Sequence, residues 1–259
     1  MTPHDALAEG RLAEALVIQE AAVRDAPFDL ASRRFLIDLL AFAGRLDEAL
    51  QHLAEISTQA PEWAEIERDF TILFRADRLR TIEGRKPLIH PLPPPKHATR
   101  RYLAMKTLQR NRPDQAIRCI DAADAVTPEV WGFIDGQEFD GLRDADDRFA
   151  SVLEAFQYGE YVWFAWEAVR KVKLADAEVL HDQLYRPAIV TLKDNSTFAV
   201  HLPLVYPSSH SIDDSFALGT LTDHICPDGG PTRCVGGKLL LVGDDAEVPL
   251  RECRMIEIR

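Results

Sequence analysis

The sequence predicts an α+β protein, with an irregular helical-repeat array first and a small mixed domain second, the latter built on an antiparallel sheet or half-open barrel. Three observations carry this. "GRLAEAL" opens at Gly10 and returns, with one change, as "GRLDEAL" at Gly44. Pro27 and Pro61 stand at the same offset from the glycines of their two words. Past Pro128 the helical spacing gives way to short β-branched and aromatic runs broken by turn residues. The boundary is set near residue 130, giving a helical domain over 1–130 and an α+β domain over 131–259.

Each word has a physical reading. Leu12, Ala15 and Leu16 fall at i, i+3 and i+4, as do Leu46, Ala49 and Leu50, so each triplet shares one helix face. A glycine ahead of Arg-Leu suits the end of the preceding helix, where a left-handed residue is needed. Glu14 and Glu48 favour the first turn of the next helix. The step from Gly10 to Gly44, a helix–turn–helix closed by proline, has the period of tetratricopeptide repeats. A weaker third copy, "NRPDQAI", begins at Asn111, with Pro128 again at the matching offset. Between the copies, "EWAEIERDFTILFRADRLRTIEG" places Trp63, Ile66, Phe70, Leu73 and Phe74 at helical spacing. "GRKPLIHPLPPPKHA" is too proline-rich for helix and should be extended.

In the second half, the segment from about 145 to 158 reads as one helix with Asp144 as its cap. "YVWFAW" reads as a strand. "RPAIVTLK" and "STFAVHLPLVY" flank "DNS" and predict a hairpin, and "GKLLLVG" with "RMIEIR" predicts a second pair.

The formal net charge of −12 is spread over two acidic halves, which disfavours a nucleic-acid backbone as partner. No apolar run approaches the roughly 20 residues that span a bilayer, so a membrane is not expected either. The N-terminus lacks the basic flank and apolar core of a secretory signal, which places the chain in the cytoplasm, with Cys119, Cys226, Cys234 and Cys253 reduced.

Motifs for catalysis are missing: no G-x-S-x-G, no G-x-G-x-x-G after a strand, no H-E-x-x-H. "CVGGKL" fails as a phosphate loop, because Leu239 replaces the required Ser/Thr and Thr232 the first glycine. His224, Cys226 and Cys234 on one loop, with Cys253 downstream, are zinc-type donors at a spacing that fits no common finger. Asp135, Asp140, Asp144, Asp146 and Asp147 lack the Gly and Glu of a calcium loop. His52, His90, His97, His181, His201 and His210 are scattered and read as surface or packed residues. The expectation is a protein that is not an enzyme, with no cofactor.

Three blocks in order, "GRLAEAL…GRLDEAL", "DGQEF…L.DADDRFASVLEAF..G.Y.W" and "RPAIVTLKD…F.VHLPLVYPSS…DD..ALG", resemble the ImpE (TagJ) family along essentially the whole chain. Asp135 to Tyr161 is the most specific part. Gly141 stands where relatives usually carry Trp, and Tyr161-Val162-Trp163-Phe164 departs from their usual run. The resemblance implies a non-enzymatic cytoplasmic adaptor of bacterial type VI secretion. It would bind the N-terminal helix of the small contractile-sheath subunit, TssB, and modulate how the disassembly ATPase handles the sheath. The alternatives are a metal-dependent enzyme or zinc protein centred on His224, Cys226 and Cys234, or a helical adaptor for another partner.

Aromatic side chains dominate helix-in-groove contacts, so Trp63, Phe70, Tyr102, Trp131, Trp163 and Trp166 are the candidate partner-binding residues. Trp163 and Trp166 have odd spacing, and one of the two is expected to be exposed. The acidic surface predicts a partner segment carrying Lys or Arg.

Overall fold

The computed structural model describes residues 1–81, 85–226, 229–243 and 246–259. Each repeat word becomes a helix turn. α1 (Pro3–Ala8), α2 (Leu12–Asp25), α3 (Leu30–Phe42), α4 (Leu46–Gln59) and α5 (Ala64–Thr81) pack successively, each on its neighbour. Gly10 and Gly44 take φ of 77° and 70°. Behind them Arg11 N–H donates to the Ala6 carbonyl and Arg45 N–H to that of Leu40, the six-to-one closure that satisfies a helix end. Ala15 and Ala49 are wholly buried in the core of the array. The third copy forms a separate hairpin, α6 (Lys96–Gln109) and α7 (Pro113–Asp124), turning at Asn111 with φ 54°.

The proline-rich segment is extended and supplies β1 (Leu88–His90). Strands then follow in quick succession: β2 (Trp131–Ile134), β3 (Gln137–Asp140), β4 (Leu142–Asp144), β5 (Val152–Gln157), β6 (Glu160–Ala165) and β7 (Val169–Leu174). Next come β8 (Tyr185–Leu192), β9 (Thr197–Pro203), the short α8 (Asp214–Ala217), β10 (Thr222–Ile225) and β11 (Arg233–Gly236). β12 (Leu239–Val242), β13 (Ala246–Pro249) and β14 (Met255–Ile258) complete the chain. Nine strands form one open sheet in the order β1-β6-β5-β9-β8-β7-β14-β2-β3, with edges at β1 and β3. Its pairs are antiparallel except β1 with β6, which is parallel. β13-β12-β4 and β10-β11 make two smaller sheets. No helix among the described residues is long and apolar enough to cross a membrane.

The predicted "DNS" hairpin is present as β8–β9, with Asn195 at φ 72° in its turn. Two local expectations are overturned. Residues 152–157 are a strand, not part of a helix, and Asp144 ends β4 instead of capping one. "SVLEAF" has helical spacing, but both faces of the segment are buried in the sheet, and tertiary burial outweighs local preference. Likewise "GKLLLVG" does not pair with "RMIEIR": β12 pairs β13 and β4, while β14 inserts between β7 and β2.

The large sheet has a core on each face. Val152, Phe156, Tyr161, Trp163 and Tyr185 pack with the helical array. Leu153, Ala155, Val162, Phe164 and Trp166 pack on the other side with Val190, Leu202 and Ile256. This corrects the exposure expected for one of Trp163 and Trp166. They are 0% and 2% exposed. The odd spacing does send them to opposite faces, but both faces are buried, which is why "YVWFAW" is a continuous apolar run.

Candidate functional site

The helices cover only part of their side of the sheet. α5 lies over β5 and β6, and beyond it the same face of β9, β8 and β7 is open. Register lays two rows of side chains across this floor. Phe156 pairs His201, which pairs Pro187; one step along, Ala199 pairs Ile189, which pairs Lys173. The wall is α5 and the turn before it, where Trp63, Ile66, Phe70 and Leu73 recur at helical spacing. Val179 and His181 line the same space. The resulting groove encloses about 920 Å³. Four of the large apolar side chains this protein exposes line it: Ile66 (39% exposed), Tyr158 (84%), Val179 (48%) and Ile189 (41%).

Polar groups in the groove are few. Arg34 Nη2 donates to His181 Nδ1 at 2.9 Å and its guanidinium lies 4.4 Å from the Phe70 ring centre, while it pairs Asp38 on its own helix. The His181 ring stands edge-on to Phe70 at 4.8 Å. Burial, reinforced by the Arg34 cation, holds the His181 imidazole down to about 4, so it is neutral at pH 7 and free to accept that bond. Burial also lowers His201.

Behind the groove a buried ionic network joins array to sheet. Glu154 of β5 receives Arg80 Nε at 3.0 Å and Nη2 at 3.1 Å, together with Lys238 Nζ and the Tyr161 hydroxyl. Lys238 also reaches Asp144 at 2.9 Å, and the Tyr206 hydroxyl donates to the same carboxylate at 2.6 Å. Arg148 pairs Asp146 at 2.6 Å. Burial opposes the Glu154 charge, but Arg80 and Lys238 outweigh it and hold the carboxyl down to about 2. The acidic block from Asp144 to Glu154 is therefore neither a calcium loop nor a capped helix. Asp144 and Glu154 are matched by Lys238 and by Arg80 of α5, and Asp146 and Asp147 by the nearby Arg148 and Arg143.

Two family models match this chain. One, described as ImpE protein, covers residues 136–257; the other, a tetratricopeptide repeat, covers residues 6–68. The type VI secretion system accessory component TagJ of Pseudomonas aeruginosa is 28% identical over 263 residues, spanning 99% of this chain and 91% of that protein. The chain is thus similar to the ImpE family over residues 136–257 and to TagJ along nearly its whole length. The crystal structure of protein VPA1032 from Vibrio parahaemolyticus superposes with a TM-score of 0.92 over 99% of this chain and 97% of that one, at 21% identity, which shows a shared fold.

The groove lies between the two matched regions. Trp63 and Ile66 come from the region matched by the tetratricopeptide model, Phe156, Pro187, Ile189, Ala199 and His201 from that matched by the ImpE model. Of the six aromatic candidates, Trp63 and Phe70 line the groove. Trp163 and Trp166 are buried in the two cores and present no surface. Trp131 is half exposed on β2, toward the far edge of the sheet, and Tyr102 is partly buried on α6; neither lines the groove.

The zinc alternative meets a geometric obstacle. His224 and Cys234 are register partners on β10 and β11, but Cys234 is buried in the helix-side core and Cys253 in the opposite one. Burial pushes the Cys253 thiol up to about 12 and Cys234 further still, so both are protonated, packed thiols at pH 7. Among the described residues no group of three or more His, Cys, Asp or Glu is placed to hold a metal ion; Pro227 and Asp228 of that loop lie outside them.

Sequence spacing missed one constellation. His97 Nδ1 meets Ser151 Oγ at 2.7 Å and its Nε2 meets Glu167 at 2.6 Å, a serine–histidine–acid chain with the two ring nitrogens exchanged relative to the catalytic triad. Arg101 Nε donates to the same Ser151 hydroxyl at 2.7 Å, and His97 and Ser151 are buried. These bonds tie α6 to the strand junction. None of the three residues lines a cavity described above, and His97 and Ser151 lie too far apart in the chain for any motif search to join them.

Proposed function

We propose that this protein is a non-enzymatic accessory component of a type VI secretion system, and that its groove docks an amphipathic helix, the N-terminal helix of the small sheath subunit TssB. The observation that carries the reading is the open sheet floor walled by α5, where exposed apolar side chains converge in a chain otherwise rich in charge. A helix laid there would bury its apolar stripe against Ile66, Val179 and Ile189 and complete a helix layer over the sheet. Similarity to TagJ supports the secretion role, and the tetratricopeptide match supports a protein partner. In the same reading residues 1–130 and 131–259 are two units whose junction is the docking site. Holding the sheath subunit's terminal helix would govern when the disassembly ATPase can reach it, in the cytoplasm where the sheath is handled.

Calorimetric titration with a peptide spanning that terminal helix tests this. Saturable binding at micromolar or tighter affinity, lost in Ile189→Asp, is expected. No binding by a peptide shown to be helix-competent would return the partner to unknown.

A further inference from the structure

Two charged side chains face the groove from opposite sides without an ion pair or hydrogen bond among the described residues. Asp69 is exposed on α5, between Ile66 and Phe70 of the wall. Lys173 is exposed on β7, at the far end of the Ala199–Ile189–Lys173 row. Of the other charged side chains that line the groove, Arg34 is already paired with Asp38. His181 and His201 are held neutral by burial.

Resting on the docking reading above, we infer that Asp69 and Lys173 select the groove's occupant: an amphipathic helix whose apolar stripe carries a basic residue on one flank and an acidic residue on the other. This refines the expectation drawn from net charge, which asked only for Lys or Arg. The formal charge of −12 describes the whole chain, whereas the groove lining, its Arg34–Asp38 pair aside, presents Asp69 on the helical wall and Lys173 on the strand floor. An apolar stripe on its own does not fix how a helix rolls in a groove. Opposite charges on the two lips do, and they penalise a helix of uniform sign by placing like charges together at one lip. Because reversing the helix exchanges its flanks, the pair also sets the direction in which the occupant lies.

The test uses three designed helical peptides that share leucines at i, i+4 and i+7 and differ only in their flanks: one acidic and one basic, both basic, or both acidic. The full-length protein should bind the mixed peptide about fivefold more tightly than either uniform one, in line with one exposed ion pair gained and one like-charge contact avoided. Lys173→Glu should move the preference to the all-basic peptide, and Asp69→Lys to the all-acidic one. Both positions are exposed, and circular dichroism of each variant verifies that the fold is kept. Equal affinity for all three peptides, or a preference that the substitutions do not move, overturns the selection rule. Failure of all three peptides together with the TssB peptide overturns the docking reading instead.

Discussion

Arg80 of α5 and Glu154 of β5 meet through two hydrogen bonds of 3.0 and 3.1 Å, with neither side chain open to solvent. This contact fixes α5 against the sheet and so fixes the width of the groove beyond it. Removing one charge from a buried pair leaves the other unmatched, and here Glu154 also matches Lys238. Glu154→Gln is therefore expected to cost about 3–5 kcal/mol of unfolding free energy, measured by urea denaturation. A loss under about 1 kcal/mol, the range of exposed pairs, would mean that this pair is not what fastens the array.

The acid limb of the stability curve should have two parts. His181 is depressed to about 4 from 6.5, so the unfolded chain takes up its proton first, and stability falls as pH drops from 6.5 toward 4. Glu154 is depressed to about 2 from 4.5, so its contribution is present above 4.5 and lost as pH falls through that interval. Asp38 and Asp144, raised by burial, act in the opposite sense, so the comparison is made with variants. His52, His90 and His201 are lowered by burial as well, so His181→Gln should reduce the slope of the upper part without abolishing it, and leave the lower one. An unchanged slope between pH 6.5 and 4 would contradict a neutral, buried His181.

Gly10 and Gly44 occupy the same place in two copies of one word, yet their surroundings differ. A Cβ on Gly10 would meet nothing within 4 Å, whereas one on Gly44 would come 2.6 Å from the His210 ring. Gly10→Ala should cost about 1–2 kcal/mol, the conformational penalty alone. Gly44→Ala should cost more, and adding His210→Ala should return it to the Gly10 value. Equal costs for both glycines in thermal unfolding would show that the His210 contact gives way freely.

Trp163 and Trp166 are both buried, but their indoles are not equivalent. Trp163 Nε1 donates to the Tyr161 hydroxyl at 2.6 Å, while Trp166 Nε1 has no hydrogen-bond partner among the described residues. Trp163→Phe should be the more destabilising by about 1 kcal/mol, since it alone breaks a made bond. The reverse order in denaturant titration would refute this assignment.

What the sequence made legible follows from the range of each interaction. Helices α2 to α5 announce themselves through local spacing, and Trp63 and Phe70 are visible as one face of the α5 wall. The groove floor is not visible, because it needs the register of β7, β8 and β9 to bring Lys173, Ile189 and Ala199 into one row. "DADDRFASVLEAF" read as a capped helix because the cations that match Glu154 are remote in the chain, Arg80 on α5 and Lys238 just ahead of β12. Trp166 was open to a surface assignment because the sheet's second core is assembled from strands as distant as β14.

The central claim concerns where the partner helix lies, and hydrogen–deuterium exchange with and without the TssB peptide tests it most directly. Protection confined to residues 63–73, 156–159, 173–181 and 187–201 is the expected result. Protection on α6–α7 or on the outer face of α2, with those four segments unchanged, would contradict the groove as the docking site.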